Sequence, residues 1–365
     1  MKNYKASLVM ILMIAAVFSL FIFTGKEREN TLIKAEVISA NNEDVMQSSI
    51  ARIGQQELKI KIIEGDFAGK EVSAHNGLQG KPSIDNFYQK GDTILIALNL
   101  ENNEIKNVRA VDSYRQNWEL LLFVIFIILL LSYAGITGIK ALFSFVASLF
   151  IIWEFLVPGL LSGQNPVILS TVVLILLSGI IIFSIAGFTK KGTAAFLGTI
   201  IGLFTSVVIA VFFGEQMNLQ GMTAPYAETL LFSGHLGLNM KSIFYAAVVI
   251  GASGAAMDIA MDVAASMAEV KEKNPEIEFK EILMSGFNVG RAVIGTMTTT
   301  LLLAYSGSYL PLLMLFYSKN TSYVRMLNYK VVAAEILRTV TGSIGLVLVA
   351  PITAFIAAWI FSREK

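Results

Sequence analysis

Asp258 and Asp262 stand four residues apart in an otherwise apolar run from Ile243 to Ala268. On a helix, positions four apart share one face and lie about 6 Å apart along the axis. The run is long enough to cross a bilayer, which takes about 20 apolar residues. Two carboxyl groups are thus set on one stripe of a membrane-crossing helix. A carboxylate at that depth costs about 3 kcal/mol on insertion scales, and the cost falls only if the stripe faces protein, water or a counter-charge. The chemistry open to such a pair is to take up and release a proton or a cation, because two like charges one turn apart repel until one is neutralised.

The neighbours of the acids extend the pattern. Gly251, Ala252, Ser253, Gly254, Ala255 and Ala256 make the preceding turns thin, and small residues let membrane helices approach closely. They serve an ion path or packing alone. After a charged stretch come Asn288, Arg291 and a hydroxyl cluster, Thr296, Thr298, Thr299 and Thr300. Arg291 is the nearest cation to Asp262 if the two helices are neighbours. The threonines either line a hydrophilic track at the depth of Asp258 or bond back to their own helix carbonyls. Glu335 and Arg338, at i,i+3, supply a second set of charges that either supports the path or forms a local ion pair. Glu154 reads as a snorkelling acid and His235 as a turn residue of loop 215–242.

The elements that must position these residues follow from composition. Hydrophobic residues make up 55% and charged ones 15%, against roughly 25% charged in soluble domains. The net charge of +1 offers no basic field for nucleic acid. The absence of cysteine excludes disulfides, thiolate metal sites and cysteine nucleophiles. With His75 and His235 as the two histidines, a histidine-built zinc centre lacks ligands. No metal and no cofactor is expected.

Lys2 and Lys5 precede an apolar run from Ser7 to Thr24 with no small-residue cleavage site after it. Residues 1–29 therefore read as an uncleaved membrane anchor with its amino end in the cytoplasm. Residues 30–115 are polar and turn-rich. Period-two alternation in Leu58, Ile60 and Ile62, and again over Thr93 to Leu100, predicts a small extracytoplasmic β-barrel-like domain. Residues 116–365 are the multi-pass part, with spans near 118–134, 140–161, 166–187, 193–214, 243–267, 290–316 and 341–361. With the anchor the expected total is about eight transmembrane helices. Lys140, Lys190, Lys191, Lys271, Lys273, Lys280, Arg291, Arg363 and Lys365 fall on one predicted side, which places both termini in the cytoplasm. Residues 317–340 break the pattern with Lys319, Arg325, Lys330 and Arg338: either they form an interfacial or re-entrant helix, for which Val331, Val332, Ala334, Ile336 and Leu337 supply an apolar side, or the last spans are drawn with the wrong bounds.

Enzymatic readings find no support. Intramembrane aspartyl proteases use acids on two helices, whereas both lie here on one. No Gly-x-Ser-x-Gly elbow and no Gly-Lys-Ser/Thr phosphate loop occurs. No internal repeat is visible either.

Three strings carry a resemblance: Gly251 to Lys271, Ser285 to Met314, and Ala334 to Phe355. Together they resemble the YibE/F-like multi-pass membrane proteins of bacteria, over roughly 118–361. The stretch from Ile63 to Lys81, followed by Gly91-Asp92, is similar to the leading domain of longer members. The resemblance implies a protein of the bacterial cytoplasmic membrane, with no activity attached to the family. Two functions stay open on the residues. One is an ion- or proton-coupled transporter of an unidentified small solute, with Asp258, Asp262, Arg291, Thr296, Thr298 and Thr299 on the path and Glu335, Arg338, Asn288 and Ser253 in support. The other is a membrane scaffold or sensor whose outer β domain binds a protein partner or ligand. Beyond the lipid bilayer, the partners expected are that solute or ion and that protein, with no nucleic acid.

Overall fold

The computed structural model describes residues 32–101 and 104–363. The expected anchor at 1–29 lies outside them. The described chain divides into two units after Tyr133.

The first unit is built on strands β1 (Leu32–Asn41), β2 (Val45–Ser48), β3 (Ala51–Ile62), β4 (Glu71–Gln79), β5 (Thr93–Glu101) and β6 (Glu104–Ser113). Alternation drives them as the sequence predicts: Leu58, Ile60 and Ile62 are buried while Glu57, Lys59 and Lys61 are exposed. Ile33, Ala35, Val37, Ala74, Ile94, Ile96 and Val108 complete the interior. The strands run β1-β5-β6-β4-β3, and a β1–β3 pairing closes the ring into a five-stranded barrel, with β2 as an appended hairpin strand on β3. Every pairing is antiparallel except β4 with β6, which meet at His75 and Arg109. That connectivity is the one of the OB-fold, a five-stranded Greek-key barrel. Gly54 is required where β3 crosses the β2 hairpin. Its φ is +130°, and a Cβ there would lie 2.0 Å from the Asp44 carbonyl oxygen.

A buried amide network locks the barrel's long connection. Gln56 Nε2 donates to Asn42 Oδ1 (2.8 Å) and to the Tyr88 carbonyl (2.7 Å). Its Oε1 accepts from Asn76 Nδ2 (3.0 Å) and from the Tyr88 N–H (3.1 Å). Gln56→Ala would leave Asn76 and Tyr88 with unpaired polar atoms in a dry interior, at an expected cost of about 3 kcal/mol. Thermal unfolding of the barrel in detergent, followed by limited proteolysis, checks this; a native-like midpoint would contradict it. At the exit of β6, Asp112 accepts from Arg115 (2.7 Å), from its neighbour Ser113's amide (2.7 Å) and from Asn86 (3.0 Å). Burial alone would push the Asp112 carboxyl up, but these donors outweigh it and hold it below the usual carboxylate range. The barrel's last strand is thereby tied to the start of the first helix.

The second unit is helical. The helices are α1 (Gln116–Phe150), α2 (Val157–Leu161), α3 (Pro166–Ala186), α4 (Lys190–Gln216), α5 (Ala227–Phe232), α6 (Met240–Lys273), α7 (Phe279–Ser308), α8 (Leu310–Ser318), α9 (Tyr323–Leu327) and α10 (Lys330–Ser362), with a π-helical turn at Ile151–Leu156 that carries Glu154. α1 begins in the first unit, and Gly135, at φ 53° and ψ −124°, breaks its helical path just past the division.

Among the described residues five helices are long and apolar enough to cross a membrane, or six if the pair α7–α8, bent by 69°, is one span. Seven spans were expected within these residues, the anchor lying outside them. The spans expected at 118–134 and 140–161 fall in the 46-residue stretch Gln116–Leu161, which is interrupted between them at Gly135. Of the two readings of 317–340, the structure supports the one in which the last span was drawn too short: Val331 to Leu337 form the first turns of α10, which begins at Lys330 and not at 341.

α6 and α10 are the centre of the bundle, each packed on α4 and α7, and α6 also on α3. Small residues make this contact possible. On the α4–α10 seam Gly198 meets Thr353, Gly202 meets Val349, and Gly345 meets Ser206. On α7, Gly286 meets Met267 and Ala354, and Gly290 meets Ala350 and Val263. With lipid as apolar as the side chains, such close packing replaces the hydrophobic effect as the glue. The outward stripe of α4 is Leu197, Ile201, Phe204, Val208 and Phe212, all exposed and all large, as a lipid-facing surface should be.

Candidate functional site

α6 starts at an Asn239 cap, whose side chain accepts from the Ser242 N–H, and ends on Lys271 and Lys273. Its buried stripe is Ala252, Ala256, Ile259, Ala260, Val263, Ala264 and Met267. The opposite face carries Gly251, Gly254, Asp258 and Asp262, all exposed. Asp258 is close to the middle of this 34-residue helix. Neither carboxylate has a hydrogen bond or ion pair among the described residues. The composition of this face is the reverse of α4's outward stripe. Glycines and acids are what a helix shows to water or to other polypeptide, not to lipid tails.

Antiparallel packing sets the level of α7 against α6. Met267 lies on Gly286 and Val263 on Gly290, so Asp262 stands level with Arg291 and Asp258 level with Gly295. The expected Asp262–Arg291 contact is nonetheless not made. Gly290 points into the α6–α10 seam, and the next residue, Arg291, turns to the α10 flank. There it lines a groove of about 280 Å³ with Phe287, Ile294, Val347 and Pro351.

The hydroxyls follow the local alternative. Thr296 donates to the Val293 carbonyl (3.0 Å), Thr298 to Ile294 (2.9 Å), and Thr299 and Thr300 to Thr296 (2.9 and 3.2 Å). Ser253 donates to Ile250 (2.7 Å). Their protons are committed to their own helices, which leaves only lone pairs for a guest. Thr298 and Thr299 line a cavity of about 420 Å³ against α10. Asn288 is exposed on α7. In loop 215–242, Lys241 pairs with Glu215, which also lies 3.5 Å from the Tyr245 hydroxyl.

Glu335 and Arg338 do meet, at 3.6 Å, with side chains only 15% and 21% exposed. Arg338 lies 5.7 Å from the Phe244 ring and 5.8 Å from the Tyr305 ring. Glu335 opens on a cavity of about 200 Å³ that Tyr305, Tyr309 and Thr339 share with apolar residues. One carboxylate oxygen of Glu335 and the Arg338 Nε are buried without a hydrogen-bond partner among the described residues. The sequence reading missed Phe244, Tyr305 and Tyr309. Two tyrosines at i,i+4 near the end of an apolar helix were the available sign.

Two family models match the chain. One, of the YibE/F-like protein, covers residues 122–363, and one, of the YibE/F family N-terminal domain, covers residues 31–112. No curated protein and no solved structure matches.

Proposed function

The chain belongs to the YibE/F-like family of membrane proteins, and on that premise we propose that it is an ion- or proton-coupled transporter of a small solute, with Asp258 and Asp262 as the coupling acids. One observation carries the reading: a carboxylate pair on the central helix α6 does nothing for the fold. It is exposed and has no partner among the described residues, yet it costs about 3 kcal/mol per acid at membrane depth. A group that weakens insertion and makes no compensating contact is kept for chemistry. Ionised, the face needs water; protonated, or with a cation bound, it tolerates an apolar surrounding. Gain and loss of the ion thus favour different packings of α6, as coupling requires. On this reading Arg291 tunes the field at the level of Asp262, and the solute sits along α6 and α7. The same reading puts the protein in the bacterial cytoplasmic membrane, with both termini inside and the barrel outside, on the strength of the lysine and arginine distribution along the sequence. No enzymatic step is assigned to it.

The test is proton uptake into liposomes holding the purified full chain, driven by an inside-negative potential and followed by an internal pH dye. Asp258→Asn and Asp262→Asn should each reduce uptake at least tenfold while the protein stays monodisperse. Uptake equal to the native rate in both variants would sink the reading. A second reading, a scaffold or sensor, is favoured by the Asp112–Arg115–Asn86 junction, which couples the barrel to α1. It would gain if the acid variants retained full function in cells while Arg115→Ala lost it.

A further inference from the structure

Asp262 and Arg291 are opposite charges at one depth that do not meet. Each stands about three turns in from the α6–α7 connection. Each is exposed, and neither has an ion pair among the described residues. Their common level is set by Met267 on Gly286, by Val263 on Gly290, and by Gly342, against which both Ala252 and Leu301 lie. At membrane depth an unpaired charge of either sign is costly. Direction alone keeps the two apart: Asp262 faces outward from α6, and Arg291 is turned to the α10 flank of α7.

α7 packs on both α6 and α10, which also pack on each other, so it lies in the furrow between them. Its stripe opposite Gly286 and Gly290 is Asn288, Ala292, Gly295 and Thr299, all exposed and set at the repeat of one helix face. Among the described residues no atom lies within 4 Å of a Cβ built on Gly295, nor of one built on Gly254, which is level with Thr299. The lipid-facing stripe of α4 at Leu197, Ile201, Phe204, Val208 and Phe212 is large throughout. Small and hydroxyl-bearing residues are instead what a membrane helix offers to another helix.

A second copy of this chain answers both features at once. A two-fold axis along the membrane normal leaves every residue at its own depth and makes the two contact surfaces identical. Placed along the outer stripe of α7, it sets α7 against the partner's α7 and crosses the flanks, so that the α6 side of one copy faces the α10 side of the other. Arg291, on the α10 flank, is thereby carried toward the partner's Asp262, and the partner's Arg291 toward Asp262. The orientation that denies the pair within one chain is the one that a two-fold partner requires. We infer that the chain forms a symmetric dimer through α7, closed by two Asp262–Arg291 ion pairs between copies. Asp258, level with Gly295, has no cation beside it on α7 and keeps its carboxylate for exchange. The dimer goes beyond the transport reading and does not rest on it.

The experiment reads association and not flux, so the failure of either idea is recognisable by itself. The native full chain, labelled with a fluorophore and diluted into liposomes, should bleach in two steps per particle. Gly295→Trp should weaken that association at least tenfold, because a side chain there meets nothing within its own chain and everything at the seam. Alanine already stands in the stripe at 292, so Gly295→Ala should associate as the native chain does. The chain has no cysteine, so introduced thiols report without background. Two differently tagged full chains, one carrying Asp262→Cys and the other Arg291→Cys, should be joined in membranes by a short bis-maleimide into a product bearing both tags. Two chains both carrying Phe204→Cys, on the lipid-facing stripe of α4, should not be joined. Single-step bleaching of the native chain, native-like association of Gly295→Trp, or linkage at Phe204→Cys with none between Asp262→Cys and Arg291→Cys would each overturn the dimer. Should a variant fail to fold, the bleaching steps of the native chain decide.

Discussion

Replacing Gly202 by leucine is expected to force α10 away from α4 and leave little folded protein in the membrane. A Cβ at Gly202 would lie 2.1 Å from Val349 Cγ2 and 3.3 Å from the Val349 Cα. The first contact can be relieved by a rotamer change; the second is backbone, so the larger side chain must move the helix. Overpacking of this kind costs about 1–3 kcal/mol in soluble cores and occasionally more. The cost here is at the upper end, because close packing is the main term holding membrane helices together and α10 is shared by α4, α6 and α7. Gly202→Ala should already lower the thermal midpoint, and Gly202→Leu should abolish the monodisperse peak in size-exclusion chromatography. Gly295→Ala is the control, since no atom lies within 4 Å of a Cβ built there. Equal behaviour of Gly202→Ala and Gly295→Ala would show that the seam does not limit stability.

Removing one partner of the Glu335–Arg338 pair should cost about 3–5 kcal/mol, and removing both should cost far less. A buried ion pair is weak evidence of stability, but a buried charge without its partner is expensive. Arg338→Met leaves Glu335 facing an apolar cavity of about 200 Å³ with Tyr309 alongside, and it also removes the contact of the guanidinium with the Phe244 and Tyr305 rings. Glu335→Gln should cost less, because the amide still bonds and Arg338 keeps those rings. Glu335→Gln with Arg338→Met should recover most of the loss. The check is a double-mutant cycle on thermal unfolding in detergent. Additive losses would mean that the two side chains act independently, and the ion-pair account would be wrong.

The sequence carried the class and the layout of this protein well, for reasons visible in particular residues. Leu58, Ile60 and Ile62 alternate with charged residues, and a strand with one wet face needs that pattern whatever it pairs with. The spans from α3 to α10 are legible because lipid demands long apolar helices that satisfy their own backbone. The division between the spans expected at 118–134 and 140–161 falls where a local backbone angle decides, at Gly135, and nothing in the letters around it says whether the helix ends there or only breaks. The acids were legible because a carboxylate among apolar residues is conspicuous. Their surroundings were not. Arg291 was matched to Asp262 by depth, and depth is right, but the direction of a side chain around a helix depends on which face packs. Gly290 takes that face, and Arg291 is turned to α10.

Composition and periodicity were enough to say that this chain is a bundle in a membrane carrying a small β barrel before it, and that two acids lie on one stripe of a central helix. Those properties are local, set by what each segment buries or exposes. Strand order and barrel closure, the Gly198–Gly202 seam and the aromatic surround of Arg338 exist only after folding. Each joins residues far apart in the chain through strand pairing, helix register or close approach, and none is written in any single segment.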